Sequence, residues 1–456
     1  MSFLGIELND VAIIAVADSS IVFTEPGCAL VESGSLVFGD IALRSARKTP
    51  HAFFNRYWRD LSEQPLATGV TGIDTYADLA HAQLKKLWEQ AGGADEAAFA
   101  VPSYWGRDQL ALLLGISQEL SIPVTGIAEI PIAATRRTYP GHELVHIEVC
   151  AHATTLSRIL QDGSPVIAET GVIESLGMVS LQRSCAEYFS RRFLECSRFD
   201  PLHDAGSEQR VYDQLDEWVA QLARAPEAKL NFSYEGNEFT AQTSATQLAD
   251  HLRAHCQPFL QALRSRLVVG KASVLQIDAR FAGFPGVTDM LQELPACVVF
   301  ALDAGTAARG LVSRKAQLVS HDSGFAVSTT LPWDQPPAEI AAGETQLTTT
   351  AGIPSHLVLD GAAYRLGEEP FRIGAESTPG DYGLTINMRH SGVSRRHCSI
   401  EIDSGRMILS DYSRFGTLLN GHRVDGSVVL QTGDVISIGD PPCELRLISE
   451  TGPDGT

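Results

Sequence analysis

The pattern of apolar residues changes near residue 332, which indicates that the chain contains at least two separately folded parts. Before it, apolar runs typical of buried strands alternate with amphipathic helical stretches such as 74–92 and 106–120. After it, the helical patterns stop, and short alternating segments such as CSIEID and RMILSD are separated by Gly and Asn. The first pattern predicts an α/β architecture with helices packed on sheets, and the second predicts a small all-β sandwich.

A segment of different composition joins the two patterns. Residues 332–351 are rich in proline and threonine and have no apolar periodicity, which predicts an extended, mobile linker. The predicted boundaries are therefore an α/β region at 1–331, a linker at 332–351, a β-sandwich at 352–450 and a tail at 451–456. A chain of 456 residues is too long for one hydrophobic core, in agreement with this division.

Charge and cysteine usage exclude several classes of function. The formal net charge of −20 repels phosphate backbones and anionic bilayers, so neither a nucleic acid nor a membrane is expected as a partner. The eight cysteines are scattered without a CxxC pair, which predicts buried reduced thiols and no metal site. Reduced thiols are typical of a cytoplasmic protein, and this location is our expectation.

Four motifs in the C-terminal region follow one another in a recognisable order. They are FRIGAE at 371–376, GVSRRHCSIEI at 392–402, LSDYSRFGTLLNG at 409–421 and LQTGDVISIG at 430–439. In order and spacing they resemble forkhead-associated (FHA) domains over about residues 352–450. Members of that family are β-sandwiches whose loops bind phosphothreonine peptides. The resemblance therefore implies a protein partner that carries phosphothreonine.

The residues of these motifs suit a phosphate, although two family positions differ. A phosphate dianion requires charge-assisted donors, and the forked guanidinium group of arginine fits its geometry. The resemblance assigns the phosphate contact to Ser394 and a loop-bracing role to His397. The arginine with which the family grips the phosphate is Ala375 here, and the asparagine that holds the peptide backbone is Phe415.

The predicted phosphopeptide-binding set contains one hydroxyl, three arginines and one amide. Its members are Ser394, Arg395, Arg396, Arg414 and Asn420. Two interpretations of the arginines stay open. Either they replace the missing arginine, or they are solvated loop charges on a scaffold that binds an unphosphorylated surface.

The N-terminal region resembles a second family. Residues 99–135, FAVPSYWGRDQLALLLGISQELSIPVTGIAEIPIAAT, resemble a strand–helix–turn segment of the ATPase domain of DnaK-type heat-shock chaperones. Residues 38–66 resemble the YegD-like branch of that superfamily, and residues 298–312 resemble the small-residue helix of its second lobe. The resemblance implies a two-lobed actin-like ATPase fold in which nucleotide lies between the lobes.

The loops that should hold this nucleotide have lost their glycines. The two phosphate hairpins appear as ELND at 7–10 and EVCAHATT at 148–155, and the adenosine segment appears at 277–287. Glycine lets backbone N–H groups approach phosphates, whereas a Cβ obstructs that approach. We therefore predict that hydrolysis is lost, with no catalytic residue and no cofactor, while ATP and Mg²⁺ bound without turnover stay an open alternative. The degenerate nucleotide site would consist of Glu7, Asn9, Glu148, Thr154, Thr155 and Gly283.

Two acids and one histidine in these loops have competing interpretations. Glu7 and Glu148 either organise Mg²⁺ through water or are strand-end acids that face solvent, and the second interpretation is preferred. His152 has no paired nucleophile, so it is interpreted as a structural hydrogen-bonding residue.

The leading hypothesis is an interaction or scaffold protein. In it, a degenerate, non-hydrolysing chaperone-type ATPase domain carries an FHA module that docks on a phosphothreonine-containing protein or a chaperone-like ATPase. The alternative is a divergent active ATPase that the same module recruits to phosphorylated targets. A filament-forming protein is a third hypothesis, for which no polymerisation surface is identified.

Overall fold

The computed structural model of the chain describes residues 2–268, 271–318, 327–340, 354–359, 362–367, 369–376, 382–386, 391–403, 405–431 and 434–448. The chain divides into two compact units. Unit 1 comprises Met1–His255, Val274–Met290 and Val299–Ile340, and unit 2 comprises Cys256–Ser273, Leu291–Val298 and Ala341–Thr456.

The α/β region is a mixture of strands and helices, as predicted. In chain order its strands are β1 (Phe3–Asn9), β2 (Ala12–Ala17), β3 (Ser20–Glu25), β4 (Ala29–Glu32), β5 (Ser35–Phe38), β6 (Phe53–Phe54), β7 (Glu96–Val101), β8 (Val124–Glu129), β9 (His142–Val149), β10 (Thr154–Leu160), β11 (Val166–Ile173), β12 (Glu227–Tyr234), β13 (Asn237–Ser244), β14 (Ala272–Asp278), β15 (Cys297–Leu302) and β16 (Val327–Ser328). Its helices are α1 (Asp40–Leu43), α2 (Tyr76–Gln90), α3 (Arg107–Glu119), α4 (Ile130–Ala134), α5 (Met178–Ser197), α6 (Ala205–Arg224), α7 (Ala245–Arg264), α8 (Ala279–Ala282), α9 (Val287–Gln292) and α10 (Thr306–Ser313).

Two sheets of this region share one strand order. The larger sheet has the order β16-β8-β7-β1-β2-β3, and the second has the order β11-β10-β9-β14-β15. Counted from the first strand of each sheet, both contain the order 3-2-1-4-5, and β16 adds to the larger sheet beside β8. The strands β1 and β2 form an antiparallel hairpin, and β9 and β10 form another. The two hairpins therefore occupy equivalent positions in the two sheets.

Local signals explain why the predicted helices form. At the start of α2, the Thr75 hydroxyl accepts a hydrogen bond from the Asp78 N–H, and the Asp78 carboxylate accepts one from the Thr75 N–H. This reciprocal cap satisfies N–H groups that the first helical turn leaves without partners. Leu79, Leu84 and Leu87 follow at helical spacing and are buried against the larger sheet's core. The helix predicted at 74–92 is confirmed as Tyr76–Gln90.

The described part of the predicted linker belongs to unit 1 and packs on other residues of that unit. Asp334 forms an ion pair with Arg136, the Ala338 N–H donates to the Thr138 carbonyl (2.9 Å), and the Trp333 indole donates to the Gly163 carbonyl. These contacts hold residues 332–340 on the α/β region, whereas the composition predicted a mobile segment. Residues 341–351 of that prediction lie outside the described residues.

The β-sandwich in unit 2 consists of short strands. They are β17 (His356–Leu359), β18 (Ala362–Arg365), β19 (Phe371–Gly374), β20 (Gly383–Thr385), β21 (Cys398–Asp403), β22 (Arg406–Asp411), β23 (Leu418–Leu419), β24 (His422–Arg423), β25 (Ser427–Val429), β26 (Val435–Ile438) and β27 (Cys443–Ile448). One sheet has the order β18-β17-β27-β26-β23-β24, and the other has the order β20-β19-β21-β22-β25. Their apolar core contains Phe371, Ile400 and Leu409 from the second sheet and Leu419 and Leu445 from the first. The predicted all-β sandwich is confirmed.

Several other sequence expectations can be compared with the structure. Seven of the eight cysteines are buried, and Cys196 is exposed. Within the described ranges, no helix combines the length and the apolar character needed to cross a bilayer. Across the same residues, no group of three or more His, Cys, Asp or Glu side chains is arranged to hold a metal ion.

Candidate functional site

The loop before β21 is clamped to the loop before β23 by a buried histidine. The Ser394 N–H donates to His397 Nδ1 (3.0 Å), and His397 Nε2 lies 3.3 Å from the Gly416 carbonyl oxygen. Because Nδ1 accepts and a carbonyl can only accept, the imidazole is neutral with its proton on Nε2. Burial lowers the pKa of His397 below its ordinary value of 6.5, which favours this neutral form. His397 therefore braces the loops, as the sequence predicted.

Ser394 itself joins the same two loops. Its Oγ accepts a hydrogen bond from the Arg414 N–H (3.1 Å). A hydroxyl that accepts in this way keeps its own hydrogen for donation. The structure thus places Ser394 directly beside the backbone of Arg414, and these two predicted residues are brought together.

The loop from 412 to 417 has its own internal support. The Asp411 carboxylate accepts from the Ser413 N–H (3.0 Å) and from the Thr417 hydroxyl (2.8 Å), and Ser413 Oγ accepts from the Gly416 N–H (2.7 Å). Gly416 has φ of +95°, a conformation that other residues rarely adopt. The loop presents Phe415 to solvent with 66% of its side chain exposed.

The end of β19 lies against the Ser394 loop. The Ala375 N–H donates to the Ser394 carbonyl (3.0 Å), and the Glu376 N–H donates to the Arg395 carbonyl (3.3 Å). A Cβ on Gly374 would lie 2.0 Å from the Arg395 carbonyl oxygen, so only glycine permits this approach. The family's phosphate-gripping arginine would stand at Ala375, immediately beside Ser394.

One pocket, which we call the sheet-face pocket, lies where the loop before β21 meets β19. Arg372 of β19 lines it together with Arg395 and Arg396, and Tyr412 forms another wall. The pocket is open to solvent and has a cavity volume of about 30 Å³, well below the range of small-ligand sites. Sequence reasoning missed Arg372 because the residue precedes the family motif positions. Its only signal was an arginine at an alternating position inside FRIG.

Asn420 is used inside the domain. Its Oδ1 accepts from the Val435 N–H (2.8 Å), and its Nδ2 donates to the Asp434 carboxylate (2.9 Å). Its φ of +52° places it in the left-handed region, which asparagine tolerates better than most residues. The contacts of Asn420 therefore support the turn before β24, and its predicted contact with a peptide stays a prediction.

In unit 1, the two hairpins that correspond to the predicted nucleotide loops contact each other. Asn9 Nδ2 donates to Glu148 Oε1 (3.3 Å) and to the Val149 carbonyl (3.3 Å). The Ala151 N–H donates to Asp10 Oδ1 (2.7 Å). We call this arrangement, made by Asn9, Asp10, Glu148 and Ala151, the hairpin latch.

The carboxyl groups around the hairpin latch are buried, which corrects the preferred interpretation of acids facing water. Glu7, Asp10 and Glu148 are 6%, 5% and 3% exposed. Burial raises the pKa of Glu7 to about 7 and that of Asp10 to about 6. Burial, reinforced by the neighbouring Glu7 charge, raises the pKa of Glu148 to about 8. The β1 and β9 strands are central in their sheets, so an acid near the end of either strand is covered by the opposite hairpin or by α10.

Each of these acids has defined partners. Glu7 Oε2 accepts from the Ala307 N–H (3.1 Å) and the Ala308 N–H (3.4 Å) at the start of α10. Glu148 Oε2 accepts from the Thr155 hydroxyl (3.2 Å). Asp10 Oδ2 is buried without a hydrogen-bond partner. Sequence reasoning did not single out Asp10, although it is the last residue of the ELND hairpin.

The hairpin latch does not fit the phosphates of a nucleotide. Phosphate binding requires free backbone N–H groups that converge on the ligand. Here the Val11 N–H donates to Asn9 Oδ1 (2.9 Å), the Cys150 N–H donates to the Ala153 carbonyl (2.8 Å), and the Ala151 N–H is held by Asp10. These three N–H groups are therefore not available to a phosphate.

The remaining predicted residues of the nucleotide site make their contacts elsewhere. The Thr154 hydroxyl donates to the Leu176 carbonyl (2.9 Å), and the Gly283 N–H donates to the Ala279 carbonyl (2.9 Å) at the end of α8. His152 Nε2 lies 3.1 Å from the Asn55 carbonyl oxygen, so its predicted structural role is confirmed.

Comparison with known proteins gives a family for the sandwich alone. No curated protein matches the chain. The resemblance of the N-terminal region to DnaK-type ATPase domains therefore stays a prediction. Residues 372–439 match the family model described as FHA domain. This range contains Ser394, the arginines of the sheet-face pocket and the 412–417 loop. The chain carries an FHA domain, which confirms the FHA prediction for its C-terminal region.

Proposed function

We propose that the chain is a docking protein whose FHA domain recognises a phosphothreonine-containing segment of a protein partner. The observation that carries the proposal is the clamp of Ser394, His397 and Gly416, which holds one hydroxyl donor between two supported loops. Such preorganisation lowers the entropic penalty for ordering the loops when a peptide binds.

The charges around the clamp favour a dianion. Arg395, Arg396 and Arg414 are all exposed and lie in the two loops that the clamp joins. Arginine forms short, charge-assisted hydrogen bonds to phosphate, and a phosphothreonine carries between 1.5 and 2 negative charges at about pH 7. This local positive charge stands out on a chain of net charge −20. The clamp and the arginines together support recognition of a phosphate more than of an uncharged surface.

The peptide backbone would meet an aromatic side chain in place of the family's asparagine. Phe415 is exposed, and the Arg414 guanidinium carbon lies 5.7 Å from its ring centroid. An exposed aromatic ring supplies contact area and no hydrogen bond. We therefore infer that this domain holds its peptide through the phosphate and through apolar contact next to the phosphothreonine.

The α/β region is proposed to be a non-hydrolysing scaffold of the actin-like class. The strand order 3-2-1-4-5, present in both sheets, supports a duplicated two-lobed fold. The hairpin latch supports the loss of turnover, because the N–H groups that a nucleotide would need already have partners. On this account, phosphopeptide recognition is the function and the α/β region serves docking.

Fluorescence anisotropy of the full chain tests the proposal. The probes are two fluorescein-labelled degenerate peptide pools, one with phosphothreonine and one with threonine at the central position. We expect the phosphorylated pool to bind, and Ser394→Ala to lower its affinity about tenfold, since a hydrogen bond to a charged group contributes about 1.5–3 kcal/mol. Ser391→Ala is the matched control, because this exposed serine belongs to the same loop and its hydroxyl donates to the Asp440 carbonyl. Equal affinity of the wild-type chain for both pools would refute the proposal.

A further inference from the structure

Unit 2 contains a buried arginine that does not belong to the sandwich. Besides the sandwich, the unit includes Cys256–Ser273, the segment in which α7 ends at Arg264. The side chain of Arg264 is only 5% exposed. Arginine is almost never buried to this extent unless its charge is paired. The guanidinium group of Arg264 therefore requires a partner inside unit 2.

The partner of Arg264 is an acid of the sandwich. Arg264 Nη2 lies 3.2 Å from Asp434 Oδ1, and Arg264 Nη1 donates to the side-chain carbonyl of Gln431. The side chain of Asp434 is 3% exposed, so neither charge is compensated by water. Removing one member of such a pair leaves an uncompensated buried charge, which is strongly unfavourable. Asp434 lies within residues 372–439, which match the FHA model, whereas the arginine that neutralises it lies outside that range.

Asp434 also holds the turn at Asn420. Its Oδ1 accepts from Asn420 Nδ2 (2.9 Å), and its Oδ2 accepts from the Gln431 N–H (2.8 Å). Asn420 Oδ1 accepts from the Val435 N–H (2.8 Å), and the Asn420 N–H donates to the Val435 carbonyl (2.7 Å). One buried carboxylate thus joins Arg264 to the turn at Asn420.

The turn at Asn420 lies close to the 412–417 loop. Only the two-residue strand β23 separates them along the chain, and the Val424 N–H beyond the turn donates to the Thr417 carbonyl (2.8 Å). The same loop supplies the backbone N–H that the Ser394 Oγ accepts. Because β23 is so short, a shift of the turn changes the position of the loop relative to Ser394.

We propose that Arg264 is a positioning residue of the FHA domain, which holds the 412–417 loop in its peptide-binding geometry through Asp434 and Asn420. The inference rests on the proposed function, and it adds to the recognition module a residue of α7 that the family match does not contain. The sandwich and the end of α7 then act as one module. Affinity for a phosphopeptide therefore depends on a side chain that does not contact the peptide.

Hydrogen exchange of the full chain, combined with the anisotropy titration of the two peptide pools, tests the inference. We expect Arg264→Gln to accelerate exchange in residues 417–424 about tenfold or more and to lower the affinity for the phosphothreonine pool about fivefold. Arg264→Lys keeps the charge and should retain part of both properties. Adding Asp434→Asn to Arg264→Gln should restore part of the protection, because no uncompensated charge remains. Arg191→Gln is the matched control, since Arg191 is an exposed arginine of α5.

The two measurements separate this inference from the proposed function. Unchanged exchange in β1, a strand of unit 1, shows for each variant that the rest of the chain is folded. If Arg264→Gln leaves exchange in residues 417–424 unchanged, the link from α7 to the loop is wrong. If exchange accelerates while the affinity stays at the wild-type value, the positioning role is wrong and the proposed function stands. If the wild-type chain does not prefer the phosphorylated pool, the proposed function fails. Accelerated exchange would then still support the link from Arg264 to the loop, and unchanged exchange would overturn it.

Discussion

Replacement of Glu148 by glutamine should stabilise unit 1, and more strongly at high pH. Glutamine has the shape of the neutral carboxyl group, and its two ends can keep the contacts with Asn9 and the Thr155 hydroxyl. It removes only the ionisation of a buried group. If Glu148 worked as a charged Mg²⁺ ligand, the same change would instead remove a functional charge.

The expected magnitude follows from the raised pKa. The pKa of Glu148 rises from its ordinary value of 4.5 to about 8 in the folded chain. Between these values the native state binds more protons than the unfolded state, so stability falls as the pH rises. At about 1.4 kcal/mol per pKa unit, raising the pH from 5 to 8 destabilises the wild type by about 3 kcal/mol at this group. The free energy of unfolding of Glu148→Gln, taken relative to the wild type, should therefore be about 3 kcal/mol higher at pH 8 than at pH 5.

Tryptophan fluorescence during urea unfolding measures this effect selectively. All five tryptophans lie before residue 334, within the sequence of unit 1, and Trp58 and Trp105 stack in its core. Glu169→Gln is the matched control, since Glu169 is an exposed acid on β11 of the same sheet. If Glu148→Gln raised the free energy of unfolding equally at pH 5 and pH 8, the prediction would be wrong. A large increase in the urea midpoint of the wild type on addition of Mg²⁺–ATP would also contradict it, because a ligand at one hundred times its Kd stabilises the folded state by about 2.7 kcal/mol.

Two further predictions concern the FHA domain. Ala375→Arg should raise the affinity for the phosphothreonine pool, because it returns a guanidinium group to the position beside Ser394; an unchanged affinity in the anisotropy titration would contradict this. Since burial lowers the pKa of His397, the loop clamp is fully stable above pH 6.5 and weakens as the pH falls below it. Hydrogen exchange of residues 391–403 should therefore accelerate on acidification, and His397→Gln should remove most of that pH dependence.

The sandwich could be predicted from the sequence because it depends on local patterns, namely alternating strands with Gly and Asn at the turns. The loop-bracing role of His397 was implied by the resemblance to FHA domains and not by the local pattern, and its contacts with Ser394 and Gly416 agree with that role. The reciprocal cap of α2 shows the same principle in the α/β region, since Thr75 and Asp78 are three residues apart.

Features that depend on contacts between distant segments could not be predicted from the sequence. Glu7 and Glu148 resemble solvent-facing strand ends in sequence, yet each is covered by a segment that the chain reaches more than 130 residues away. Burial of this kind depends on the order of strands in the sheets and on the contact between the hairpins. The polarity of neighbouring residues in the sequence predicts neither of them.

The affinity of the full chain for phosphothreonine relative to threonine shows directly whether the FHA domain recognises a phosphate. The paired peptide pools differ only by one phosphate, so the ratio of their dissociation constants isolates its contribution. We expect at least a tenfold preference for the phosphorylated pool at about pH 7.5, equivalent to about 1.4 kcal/mol, and a loss of that preference in Ser394→Ala. A ratio near one for the wild-type chain would contradict this expectation.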